Sequence, residues 1–182
     1  DNTLIAGDAD HLWGDFLVSQ GRVDATEHKA LNAHFYDQYK NGELNIDEYL
    51  AFALGPMTGM TKETLAPLQR QFVRDHIEPI LLDAAFALLE QHRALGDTLV
   101  IITATNTLVT QPIADRLGVE HLIGCEAEII EGCYTGKPTG VPSFAQGKVA
   151  RIQTWCEENK KSMENAVFYS DSLRPFHEHS CA

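Results

Sequence analysis

The sequence is short of positive charge. It carries 14 Lys and Arg against 26 Asp and Glu, a formal net charge of −12. A polyanion such as nucleic acid is repelled by that balance unless a local basic patch exists, and none is visible, so a nucleic-acid partner is not expected. No apolar run reaches the length of a membrane span, so no membrane partner is expected either. The four cysteines (Cys125, Cys133, Cys156, Cys181) include no Cys-x-x-Cys pair. Their spacing offers neither a zinc knuckle nor a disulfide framework, which makes a reducing cytoplasm the default compartment. Nothing reads as a signal peptide. The first residue is Asp1 rather than Met, and the last stretch, FHEHSCA, has no helix or strand pattern. Both ends therefore read as cut or altered.

The chain is 182 residues long and 44% hydrophobic, enough for one good core or one core with a small insert. Residues 9 to about 95 read as helical. Trp13, Phe16 and Leu17 form an apolar stripe that Gly21 can stop. ATEHKALNAHFYDQY gives a second helix and EYLAFAL belongs to a third that begins near Ile46. TKETLAPLQRQFVRDH gives a fourth, with Thr61 as N-cap and Glu63 in its first turn. ILLDAAFALLEQHRAL gives a fifth, ended by Gly96.

The pattern then changes. Leu99–Ile102 is a continuous apolar run, read as a strand buried on both faces. A helix follows over 107–117, stopped by Gly118. HLIG, EAEII and CYTGK read as short strands, the last two around a Glu131–Gly132 turn. Another helix covers 147–158, and Ala166-Val167-Phe168-Tyr169 reads as a second buried strand. Strands alternating with helices predict an α/β fold with a Rossmann-like parallel sheet. The helical block is then a cap inserted near the start of the sheet. The expected division is a core of 1–8 and 81–182, and a cap of 9–80.

Open parallel sheets bind ligands at the carboxyl ends of their strands. One such end delivers Thr103-Ala104-Thr105-Asn106 and the other Ser170-Asp171-Ser172. Both place small polar groups where backbone N–H groups open onto a helix start, an anion-binding arrangement, although the same residue types also serve as plain helix caps.

The opening DNTLIAGD, with TLVIITATN, GKVARIQTW and VFYSDS, resembles four motifs of the haloacid dehalogenase superfamily, in order. The likeness is to its phosphoserine-phosphatase-like branch, which includes bacterial histidinol-phosphate phosphatases, and it runs nearly to Ser172. It implies a magnesium-dependent phosphomonoester hydrolase working through an aspartyl-phosphate intermediate on a small phosphorylated metabolite, as a monomer or homodimer. Asp1 and Thr3 match the last two fixed positions of the motif Asp-x-Asp-x-Thr. Asp1 is then the general acid and base, and a ligand of Mg²⁺ through its backbone carbonyl. The nucleophilic aspartate falls two positions before Asp1, so the chain as it stands is expected to be inactive.

The resemblance makes Thr103 a hydroxyl for the transferring phosphoryl oxygens, Lys148 the cation that neutralises charge there, and Asp171 a magnesium ligand. Thr105 and Asn106 are candidate substrate contacts beside Thr103. The family's second acidic residue, four positions after Asp171, is replaced by Pro175, which puts the metal site in question. Asp8 matches a carboxylate that binds a substrate amine, with helix capping as its alternative role. In the relatives an arginine of the cap binds the substrate carboxylate; here Ala53 stands in its place. An amine-bearing ester without a carboxylate, such as histidinol phosphate, is therefore preferred. Phosphoserine hydrolysis and a non-catalytic phosphate binder are the alternatives.

A reading from another class is a calcium-binding module. In DQYKNGELNIDE, Asp37, Asn41, Gly42, Leu44 and Glu48 fit EF-hand loop positions, but Tyr39 stands where an oxygen ligand belongs.

Overall fold

The structure is a computed structural model that describes residues 2–171. Four helices come first: α1 (Ala9–Ser19), α2 (Ala25–Asn41), α3 (Ile46–Leu54) and α4 (Lys62–Phe72). Each starts where a short polar side chain takes up free backbone N–H groups. Asp8 accepts from the amides of Asp10 and His11, and Asp24 from those of Thr26 and Glu27. Asn45 accepts from the amides of Asp47 and Glu48. Thr61 caps α4 reciprocally with Thr64, the threonine at the third helical position standing in for the usual acidic partner. A π-helical turn, Val73–Ile77, continues α4.

The chain then passes through a 3-10 turn, Glu78–Ile80, into α5 (Asp83–Leu95). This helix starts three residues later than the amphipathic pattern suggests. Residues 80–82 are instead tied to the beginning of the chain: the Ala6 amide donates to the Ile80 carbonyl at 2.8 Å and the Leu82 amide to the Leu4 carbonyl at 3.3 Å. Ile5 and Leu81 thus form an antiparallel bridge at the two points where the chain enters and leaves the helical block.

After α5 come β1 (Val100–Asn106), α6 (Thr107–Leu117), β2 (His121–Ile130), β3 (Cys133–Thr139) and α7 (Gln146–Asn159). The three strands form one sheet in the order β1-β2-β3. HLIG and EAEII are one strand: its first half runs parallel to β1, its second half pairs antiparallel with β3. Glu131 and Gly132 both take positive φ (52° and 82°), the conformation a tight hairpin demands.

The expected strand at 166–169 is not in the sheet. Val167, Phe168 and Tyr169 are 64%, 54% and 47% exposed. Apolar composition does not make a strand without a hydrogen-bonded neighbour, and the described sheet ends at β1. The segment lies outside, where Tyr169 OH meets His92 Nε2 at 2.9 Å.

A single apolar cluster runs through helices and sheet, joining Trp13, Phe16, Leu54, Phe72 and Ile77 to Val109, Leu117 and Tyr134. Phe72, fully buried, meets Trp13 edge to face at 5.0 Å between ring centroids and Phe16 at 5.7 Å. The β2–β3 hairpin is tied to the helical block as well: the Tyr134 amide donates to the Met60 carbonyl, and the Gly59 amide to the Tyr134 carbonyl, each at 2.8 Å. No helix among the described residues is long and apolar enough to cross a membrane.

The shared core generates a prediction. Phe72→Ala should cost about 3–5 kcal/mol, the usual range for emptying a fully buried aromatic site. Unfolding in urea should remain one transition by both far-UV circular dichroism and tryptophan fluorescence. Two separated transitions would mean that the helical block and the sheet have independent cores.

Candidate functional site

The carboxyl end of β1 is where the polar groups gather. Thr103 Oγ1 accepts the amide of Thr105 at 3.1 Å, which leaves its hydroxyl hydrogen free to be donated elsewhere. Thr105 is buried. Asn106, also buried, caps α6: its Oδ1 accepts the Val109 amide at 3.2 Å, and its Nδ2 points to Asp10 Oδ1 at 3.5 Å. The capping role that the sequence leaves open is therefore the one its carboxamide fills.

β2 brings Cys125 opposite Asn106 in the parallel register. The Cys125 thiol donates to the Ala104 carbonyl at 3.1 Å and accepts the Ser143 amide at 3.3 Å. Burial pushes this thiol up, so it is a packed structural group rather than a thiolate. Ser143 is fully buried, and its Oγ has no hydrogen-bond partner among the described residues.

Lys148 stands in the first turn of α7, partly buried. Burial lowers its pKa, and the nearby Cys125 and Asp171 act in the opposite direction. The ammonium is thus within electrostatic reach both of the β2 end and of the carboxylate that follows residues 166–169. The glycine before it has a steric reason. A Cβ on Gly147 would lie 2.0 Å from the Pro142 carbonyl oxygen, so the loop can fold back against the start of α7 only over a bare backbone. Ala145, two residues earlier, holds φ 46° and ψ −123°, a costly conformation for a residue with a side chain.

Other expected residues take different places. Asp1 lies outside the described residues, as do Ser172 and Pro175. Thr3 sits in the bend before the Ile5–Leu81 bridge. Asp8 is exposed and caps α1, with both cap hydrogen bonds on Oδ1. Among the described residues no three His, Cys, Asp or Glu side chains cluster as a metal site. Asp171 by donor type suits Mg²⁺, a hard cation that keeps several waters and takes one or two carboxylates. The EF-hand reading does not fit the geometry. Residues 37–41, its first five loop positions, are helical, Asp37 pairs with Lys40 at 2.8 Å, and Glu48 accepts from the Asn45 carboxamide at 2.9 Å. A calcium loop must leave the helix before its first ligand.

Asp10 is the residue that the sequence reading passes over. Tyr49 OH of α3 donates to its Oδ2 in a short hydrogen bond, and Asn106 approaches Oδ1. Burial raises its pKa from 3.8 to about 6, against the lowering effect of the Tyr49 hydrogen bond, with Asp8 adding a further rise. The signal was present: Asp10, Trp13 and Leu17 follow the i, i+3, i+7 spacing of one helix face, and a carboxylate on an apolar stripe asks for a partner. With Trp13, His28, Asn32 and Tyr49 it lines a cavity of about 20 Å³.

The raised pKa has a pH signature. The folded state holds the Asp10 proton more tightly than the unfolded chain, so this group's contribution to stability is complete below about pH 3.8 and is lost as pH rises through about 6. Asp10→Asn, which mimics the protonated acid, should therefore stabilise the protein at about pH 7.5 by roughly 2–3 kcal/mol and change little at about pH 3.5. Urea unfolding at both pH values measures this; an equal effect at the two would mean that the native carboxylate is not desolvated.

Comparison with known proteins agrees with this architecture. The sequence model of the haloacid dehalogenase-like hydrolases matches residues 1–174. A histidinol-phosphatase of Neisseria meningitidis is 38% identical over 176 residues, covering 94% of this chain and 79% of that protein. A crystal structure from Bordetella pertussis Tohama I, of a protein with unknown function, superimposes with a TM-score of 0.82 at 38% identity, covering 90% of this chain and 74% of the other. A substrate-bound phosphoserine phosphatase shares the fold at 12% identity, with a TM-score of 0.61 over 90% of this chain and 70% of that one. By sequence and by fold, the chain is a phosphatase-type member of the haloacid dehalogenase-like hydrolases.

Proposed function

We propose that the site hydrolyses a small amine-bearing phosphate monoester that lacks a carboxylate, with histidinol phosphate as the best fit. The observation that supports the phosphate site most is Lys148, a partly buried ammonium in the first turn of α7 that feels both Cys125, opposite the end of β1, and Asp171. A partly buried cation gains from a counter-charge, and a phosphate dianion would supply it. Thr103, whose Oγ1 already accepts from Thr105, has its hydroxyl hydrogen to give to a phosphoryl oxygen.

In this reading Asp1 donates a proton to the leaving alkoxide and later takes one from water, with Thr3 supporting the loop that carries it. The phosphoryl group passes through an aspartyl phosphate formed on the carboxylate two positions before Asp1. Asp171 and Asp1 would hold Mg²⁺, which when bound supplies positive charge to the phosphoryl oxygens. Asp8 has Oδ2 left over from its cap to receive the substrate amine. The name of the Neisseria relative supports histidinol phosphate as substrate. So does Ala53, which lines the cavity behind Asp10 in the place where an arginine would grip a carboxylate.

The test uses the chain with its first motif completed upstream of Asp1. Histidinol phosphate should be hydrolysed with a kcat/KM about a hundredfold above that for phosphoserine, because the latter's carboxylate would enter without a cationic partner. Ala53→Arg should narrow that gap. Lys148→Ala should lower kcat/KM for every ester by about 10²–10³, the usual scale for one charge-stabilising group. Gly147→Ala should act in the same direction by displacing Lys148. Phosphoserine turned over as well as histidinol phosphate would defeat the substrate assignment.

A further inference from the structure

The cavity beside Asp10 has a definite chemistry. It is small, about 20 Å³, room for roughly one water molecule. On its wall, Trp13 is 2% exposed, and its indole Nε1–H is buried with no hydrogen-bond partner among the described residues. A buried donor left unpaired costs about 1–3 kcal/mol, so this place calls for an acceptor, which a water can be at rest and which any ligand that displaces the water must replace. Also on the wall, Asp10 is an acceptor held by Tyr49 and Asn106. No lysine or arginine is among the lining residues, and Ala53 is. The outer wall is His28, only partly buried, whose ring stacks on Phe52 at 5.0 Å between centroids. His28 lies directly on α1: a Cβ on Gly14 would be 2.3 Å from its Nε2.

We infer that this cavity, opened by an outward swing of His28, is the subsite for a neutral nitrogen heterocycle of the substrate, with one ring N–H donated to Asp10 and one ring nitrogen accepting from Trp13 Nε1. The reasoning is one of complement. An ammonium offers only donors and would leave the indole N–H unanswered. A carboxylate would meet Asp10 with no cation beside it. A plain aromatic ring would satisfy neither group. An imidazole-type ring answers both, and the Phe52 face that His28 already covers is flat and aromatic. The inference rests on the phosphatase reading only in naming the ring as part of the substrate; Asp8 would then take the amine and Asp10 the ring.

The experiment needs no turnover. The chain contains two tryptophans, Trp13 and Trp155, so its two indole N–H resonances in a ¹⁵N–¹H spectrum can be assigned by one substitution, Trp155→Phe. Titration with 4-methylimidazole at about pH 8.5, where roughly nine-tenths of the probe is neutral, should move the Trp13 indole resonance saturably and leave Trp155 in place. Asp10→Asn, nearly isosteric, should weaken that binding about tenfold or more, the scale of one hydrogen bond to a charged group. Ethanolamine, a cation without a ring, and benzyl alcohol, a ring without nitrogen, should not move the resonance. An unmoved Trp13 resonance with 4-methylimidazole, an equal shift with either control, or unchanged affinity in Asp10→Asn each overturns the inference. Inorganic phosphate titrated into the same sample reports separately on the Lys148 region. Its failure to bind there would count against the phosphatase reading and leave the ring result standing.

Discussion

A carboxylate on the apolar face of a helix has to be answered, and the arrangement of this molecule around α1 is the answer. Asp10 lies on the same face as Trp13 and Leu17, both buried. Left alone in that position, its charge would cost several kcal/mol. Tyr49 brings α3 against it from one side and Asn106 brings the end of β1 from the other. Three segments far apart in sequence are therefore fixed to one another at the point where the strand ends open. The carboxylate is still imperfectly compensated, which is why its pKa stands at about 6. Residual strain of this kind at a cleft is a common mark of a working site rather than of a structural one.

The helical block is joined to the sheet on a shared core as well as at this junction. Its apolar face and that of the sheet form one cluster, and the β2–β3 hairpin reaches over to Met60 through backbone hydrogen bonds. The chain crosses into and out of the block side by side, at the Ile5–Leu81 bridge.

Around Lys148 the controlling constraint is steric rather than electrostatic. The loop from Val141 to Ala145 folds so closely on the first turn of α7 that only glycine fits at position 147. Arg151 holds the same loop from within the helix, donating to the Val141 carbonyl at 3.1 Å and to Glu126 of β2 at 3.2 Å. The lysine is therefore aimed by its neighbours, and its partial burial follows from the loop. That burial makes the ammonium a stronger partner for an anion than a solvated surface lysine, because less water competes for it.

The sequence by itself determined five helices between residues 9 and 95, the Thr61 cap and the glycine helix ends, and the strand, helix, hairpin and helix that follow one another after residue 99, although it split β2 into two pieces. These depend on groups a few residues apart: Thr61 with Thr64, Asn45 with Glu48, Asp8 with His11. It also carried the four motifs that name the family. What it could not decide was anything that needs a partner distant in the chain. The run at 166–169 has the composition of a strand, but strand formation depends on a neighbouring edge, and the described sheet ends at β1. Asn106 reads equally as a ligand group or a cap, and only the position of Val109 N–H and Asp10 settles what its carboxamide does. Asp10 reads as a first-turn acid of α1. It becomes a partly buried, half-compensated carboxylate once Tyr49, 39 residues later, folds onto it. Local hydrogen bonds and periodicity are written in consecutive residues, whereas burial and charge compensation exist only after distant segments have met.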